Sequence, residues 1–208
     1  MMSDPLIDQL TNDLKPVQPL RNISLWQHCS ACLILAIALI LSVLGIRPDW
    51  LQAIQGGALL WKPAIFFLTL SGSMLLVTDI SRPAGKIKPV HFVPLLLALA
   101  ILIWRLTSAK IDFASLDSYS AYICLSVITS GGAMVMGMVW LFWLRKTATP
   151  HPALLGSLAG VSAGSLVATA YSLHCNQDAG IYVSVYYILP IFLLSLAGGV
   201  LGRNKLKW

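Results

Sequence analysis

The sequence predicts an all-α integral membrane protein with six transmembrane helices and both termini cytoplasmic, and three observations carry that prediction. Of 208 residues 57% are hydrophobic and 11% charged, with a mean hydropathy of +0.79, whereas an ordinary soluble domain is about 25% charged. A chain this apolar cannot cover a soluble surface, so its solvent is the bilayer. Six stretches reach the roughly 20 apolar residues that a hydrocarbon core of about 30 Å demands. The connections between them are short and hold the chain breakers. A disulfide-rich secreted module, a disordered regulator and a soluble enzyme are thereby excluded.

Residues 1–24 are the one sizeable soluble segment, and they read as a short amphipathic helix, distinct from a transmembrane domain over 25–208. Asp4 caps, Pro5 suits the first helical position and Pro16 ends the run. Leu6, Ile7, Leu10 and Leu14 fill an arc of about 100°, with Asp4, Asp8 and Asn12 opposite. Such a short helix is marginal alone and needs a surface to lie on. Anionic lipid would repel its acidic back, which favours a basic groove on a partner protein.

The predicted spans are 25–46, 58–78, 91–108, 121–144, 153–173 and 183–201. With the N-terminus inside, 10 of the 14 Lys and Arg residues flank the inner ends; only Arg47, Lys62, Arg105 and Lys110 lie at outer ends. Trp50, Trp61, Trp104, Tyr119, Tyr122 and Tyr182 would mark the outer interface, and Trp26, Trp140, Trp143 and Trp208 the inner one. Lys62 and Arg105 are expected to snorkel. Ala36-Ile37-Ala38 looks like a signal-peptidase site, but cleavage there would halve the first span. The net charge of +6 needs no nucleic acid, because no basic run exceeds Arg145-Lys146 and basic loops are what topology requires.

Gly156, Gly160, Gly164 and Ala168 recur every four residues on the fifth span, and Gly198 and Gly202 repeat the spacing on the sixth. Small residues in one stripe let helix backbones approach closely, so packing is the expected role. The cysteines divide by topology. Cys29 and Cys32 lie at the inner end of the first span, while Cys124 opens the fourth and Cys175 follows the fifth, both outside. An outer pair at Cys124 and Cys175 can be oxidised or bind a soft metal ion, with His174 and Asp178 as further ligands; packing as small hydrophobes is the competing role. No cofactor is otherwise required.

Asp4-Pro5-Leu6-Ile7-Asp8-Gln9-Leu10, Asp13, Pro16-Val17 and Leu20-Arg21, then Gly45-Ile46-Arg47-Pro48-Asp49, resemble the NrsF-type membrane anti-sigma factors of bacteria. So do Pro150 with Pro152, Gly156-Ser157-Leu158-Ala159-Gly160, Tyr171-Ser172-Leu173-His174-Cys175 with Asp178, Tyr187, and the ending from Leu201-Gly202-Arg203 to Trp208. Cys29 and Cys32 are additions to that pattern. The resemblance implies a six-span inner-membrane protein that holds an extracytoplasmic-function sigma factor inactive through its cytoplasmic N-terminal segment. It further implies that the outer pair matching Cys124 and Cys175 takes part in sensing oxidative or heavy-metal stress. On this reading Leu6, Ile7, Leu10 and Leu14 occupy a groove on the sigma factor, Asp8 and Asp13 pair with its basic surface, and the chain is not an enzyme. A membrane thiol oxidoreductase is the alternative; against it, Cys29-x-x-Cys32 lies on the reducing side. A transporter is disfavoured by the scarcity of mid-span ionisable residues, although Pro190 could kink the sixth span.

Overall fold

The computed structural model describes residues 22–82, 85–108 and 118–206, and these contain helices and no strand. Leu6, Ile7, Asp8, Leu10, Asp13 and Leu14 lie outside the described residues. In order come α1 (Asn22–Val43), the short α2 (Trp50–Gln55), α3 (Ala58–Ile80), α4 (Val93–Ser108), α5 (Ser118–Phe142) and α6 (Pro152–Tyr171). The last span is composite: a helical turn Gly180–Tyr182, a π-helical turn Val183–Tyr187 and α7 (Ile188–Lys205). Six helices are long and apolar enough to cross a membrane. Each overlaps a predicted span; α2 was not anticipated.

The hub is α6, which packs against α7, α3, α5 and α1. Its glycines explain how. A Cβ on Gly156 would overlap the carbonyl of Gly198, one on Gly160 the carbonyl of Leu194, and one on Gly202 the carbonyl of Pro152. Without side chains between them, α6 and α7 meet backbone to backbone, and dispersion contacts replace the hydrophobic drive that lipid cannot supply. On the opposite flank Ser162 Oγ donates to Ser73 Oγ at 2.8 Å, a buried link to α3.

By contrast α1 is peripheral. Among its described side chains only Leu25 and Ile40 are buried, while Ile34, Leu35, Leu39 and Val43 are more than half exposed, as side chains that face lipid should be. Its 22 residues contain neither Gly nor Pro. Beyond Val43, Gly45 takes the left-handed conformation at φ +82 and turns the chain toward Arg47, a backbone state that glycine adopts without strain.

The aromatic residues expected at the interfaces divide by burial. Trp50, Trp104, Tyr119 and Tyr122 are exposed, but Trp61, Trp143 and Tyr182 are buried in the core and do not face an interface. Arg105 does not simply snorkel: its guanidinium lies 4.7 Å from the Trp61 ring centroid and 5.1 Å from that of Trp104, a cation–π clamp.

Candidate functional site

At the end of the bundle where α1 finishes and α3 begins, four charged side chains from three segments converge. Arg47 makes two forks. Its Nε and Nη2 donate to Asp49 at 2.8 and 2.7 Å, and its Nη1 and Nη2 to Asp178 at 3.3 and 2.8 Å. Lys62, one turn inside α3, donates to Asp178 Oδ1 at 2.9 Å, Cys175 O at 2.9 Å and Gln177 O at 2.8 Å. Three acceptors match the three protons of an ammonium group, so a fully buried Lys62 has every donor used. This corrects the snorkelling expectation: Lys62 reaches across to the loop after α6 and does not reach out to water.

Two cations and two carboxylates leave the cluster neutral. Both cation side chains are 0% exposed, whereas Asp49 and Asp178 are each 31% exposed. Charge-assisted, bidentate geometry is the strong form of the ion pair. The hydrogen bond from Arg47 holds the Asp49 carboxyl below its ordinary value of 3.8. A depressed carboxylate contributes stability above that value and loses it as pH falls below, so mild acid leaves this contact intact. Reciprocally, Asp49 raises the Arg47 pKa.

His174 belongs to the same neighbourhood. Its Nδ1 lies 2.8 Å from Gly45 O, and since a carbonyl only accepts, Nδ1 carries the proton. The loop after α6 is therefore tied to the end of α1 twice, at Gly45 through His174 and at Arg47 through Asp178.

Cys124 and Cys175 are buried, at 0% and 4% exposure, and both are free thiols. Both belong to one buried core, with Tyr182 beside Cys124 and Tyr187 beside Cys175. Cys124 also has a definite partner. Pro190 has no N–H to offer the carbonyl four residues back, which is that of Tyr186, and the Cys124 thiol donates to this oxygen at 3.5 Å. The π-helical turn Val183–Tyr187 lies directly ahead, the kind of local widening that accommodates such a break. Among the described residues no group of three His, Cys, Asp or Glu side chains is arranged to hold a metal ion.

The sequence expected Cys124, Cys175, His174 and Asp178 at one end of the molecule; the structure sets His174 against Gly45 and Asp178 against Arg47 and Lys62, buries Cys124 and Cys175 as free thiols, and gathers no three of the four into one donor set. Sequence reasoning missed Arg47, Asp49 and Lys62. A signal was available: an ionisable residue one turn inside a span needs a partner, and topology puts Asp49 and Asp178 on the same side. At the other end of α3, Asp79 Oδ2 accepts hydrogen bonds from His91 Nδ1 at 2.6 Å and from the backbone N–H of Lys88 at 3.2 Å, joining α3 to the start of α4.

The chain is 32% identical, over the full length of both proteins, to the anti-sigma-F factor NrsF of Caulobacter vibrioides (strain NA1000 / CB15N). It is 28% identical, over 83% of each chain, to the probable anti-sigma-F factor NrsF of Azospira oryzae (strain ATCC BAA-33 / DSM 13638 / PS). No solved structure matches it. The model of the family described as negative regulator of sigma F matches residues 10–208, and the chain belongs to this NrsF family.

Proposed function

We propose that this protein is a membrane-bound anti-sigma factor that sequesters an extracytoplasmic-function sigma factor at the cytoplasmic face of the bacterial inner membrane. The observation that carries the reading is membership of a family of negative regulators of sigma F on a chain with six helices able to cross a membrane. Residues 1–24 are the binding segment in this proposal: Leu6, Ile7, Leu10 and Leu14 enter an apolar groove, and Asp8 and Asp13 meet basic side chains. The 10 to 4 bias of Lys and Arg supports a cytoplasmic N-terminus.

Leu10→Asp is expected to release the sigma factor and leave the protein in the membrane. Loss of a buried Leu forfeits roughly 1.5 to 3 kcal/mol, and a charge in an apolar groove costs more, so affinity should fall at least about tenfold. The test is copurification of the sigma factor with the intact membrane protein, with Asn12→Ala on the polar face as control. Undiminished copurification by Leu10→Asp would remove the apolar stripe as the interface.

The signal, in this proposal, acts on Cys124 and Cys175. An oxidant takes two electrons from the thiols, two protons leave and a disulfide forms; a thiol-reactive metal ion would bind the same pair. Either event withdraws the Cys124 proton from Tyr186 O. Cys124→Ser and Cys175→Ser are each expected to alter induction of sigma-dependent genes by cadmium or peroxide, and Cys29→Ser and Cys32→Ser to leave it unchanged at matched protein levels. Serine at position 124 still offers a donor to Tyr186 O, so the change would report thiol chemistry and not lost packing.

A further inference from the structure

We propose that the groove between α5 and α7 is a binding site for an anionic phospholipid, with Arg145 and Lys205 on its headgroup and Gly137, Trp140 and Leu201 along its acyl chain. The groove encloses about 530 Å³ and is lined by those five residues among others. From Ala133, at its apolar end, to the end of α5 at Phe142 the nine residues span about 14 Å at 1.5 Å each, with Arg145 in the turn just beyond. One leaflet of a hydrocarbon core is about 15 Å deep, so the groove has the length of a single acyl chain.

The glycine on its floor points the same way. A Cβ on Gly137 would meet nothing within 4 Å, unlike those on Gly156 and Gly160. Glycine inside a helix weakens it, and close backbone approach compensates at positions 156 and 160. Among the described residues nothing provides that compensation at position 137, where the space stays open for an occupant.

Charge selects the kind of lipid. Residues 118–177 and 179–208 contain no Asp or Glu, yet they hold Arg145, Lys146, Arg203 and Lys205. Among the described residues neither Arg145 nor Lys205 takes part in an ion pair. Two cations at the mouth of an apolar groove suit a ligand with one long apolar tail and a negative head, and basic pockets between membrane helices hold such headgroups elsewhere. A zwitterionic phospholipid sets a choline cation against its phosphate and so brings no net negative charge to the two cations, and free phosphate would leave the groove empty.

The test uses the full chain in detergent with phosphatidylglycerol or phosphatidylcholine of identical acyl chains, bound lipid being counted by native mass spectrometry. Wild type is expected to retain phosphatidylglycerol with a roughly 30-fold preference, the effect of two surface cations acting together. The double variant Arg145→Gln/Lys205→Gln should lose the preference, while Lys86→Gln/Lys88→Gln keeps it. Gly137→Leu, or independently Leu201→Trp, should lower retention of both lipids by filling the groove, and millimolar inorganic phosphate should displace neither. Equal retention of the two lipids by wild type would overturn the site. So would displacement by phosphate, or retention of phosphatidylglycerol unaltered in both groove-filling variants.

Discussion

Asp178→Ala is expected to destabilise the protein by about 3 kcal/mol, the lower end of what removing one partner of a buried ion pair costs. The lower end applies because Asp178 itself is 31% exposed, although the cations it serves are 0% exposed. Without it Lys62 retains only the carbonyls of Cys175 and Gln177, and Arg47 only Asp49. Asp49→Ala should cost about 1 kcal/mol, since Arg47 then keeps its fork to Asp178 and water replaces a partly exposed carboxylate. Unfolding in mixed micelles, followed by tryptophan fluorescence, measures both. Equal losses in the two variants would mean that the backbone carbonyls, and not the shared carboxylate, hold Lys62 in place.

Gly160→Leu should be worse still for assembly. Overpacking usually costs about 1 to 3 kcal/mol because neighbouring side chains shift, but here the obstacle is the backbone at Leu194 and Ser195, which cannot rotate aside. The helices α6 and α7 would have to separate along their length, so the loss should exceed 3 kcal/mol, with little folded protein recovered from membranes. Gly137→Ala is the contrast. Its Cβ meets open space, and the helix gains up to about 1 kcal/mol from the better helix former. Comparable yields of Gly160→Leu and wild type would show that the α6–α7 contact is not required for folding.

The spans and the glycine stripe were legible because each is written in local periodicity: apolar length fixes a span, and a four-residue spacing fixes a face. The ionic cluster was not, because its information is distributed over separations of 116 residues for Lys62 with Asp178 and 131 for Arg47 with Asp178. No window on the sequence contains both partners, and a Lys near a span end has a solvent route that makes a partner unnecessary in advance. Tyr182 and Trp61 were misplaced for a related reason: amphipathic rings prefer the interface on average, yet here the neighbouring helices close over them. Pro190 was read as a source of a kink, but the identity of the group that takes up the freed carbonyl, Cys124, required the packing of α5 on the last span.

The two ends of α1 are held by different kinds of force. At the Val43 end, the linker it runs into is anchored by directional bonds, His174 to Gly45 and Asp178 to Arg47. Toward Asn22 the helix rests on apolar contacts around Leu25, which have no preferred direction and permit sliding. An uninterrupted helix of 22 residues is a rod of about 33 Å. The directional bonds lie at one end only, so a tilt of this rod would turn about the ionic cluster. A tilt of about 5° there sweeps the far end through about 3 Å, and the far end is where residues 1–21 attach. Such a tilt would carry displacement along the whole of α1 without any relay of side chains through the middle of the bundle.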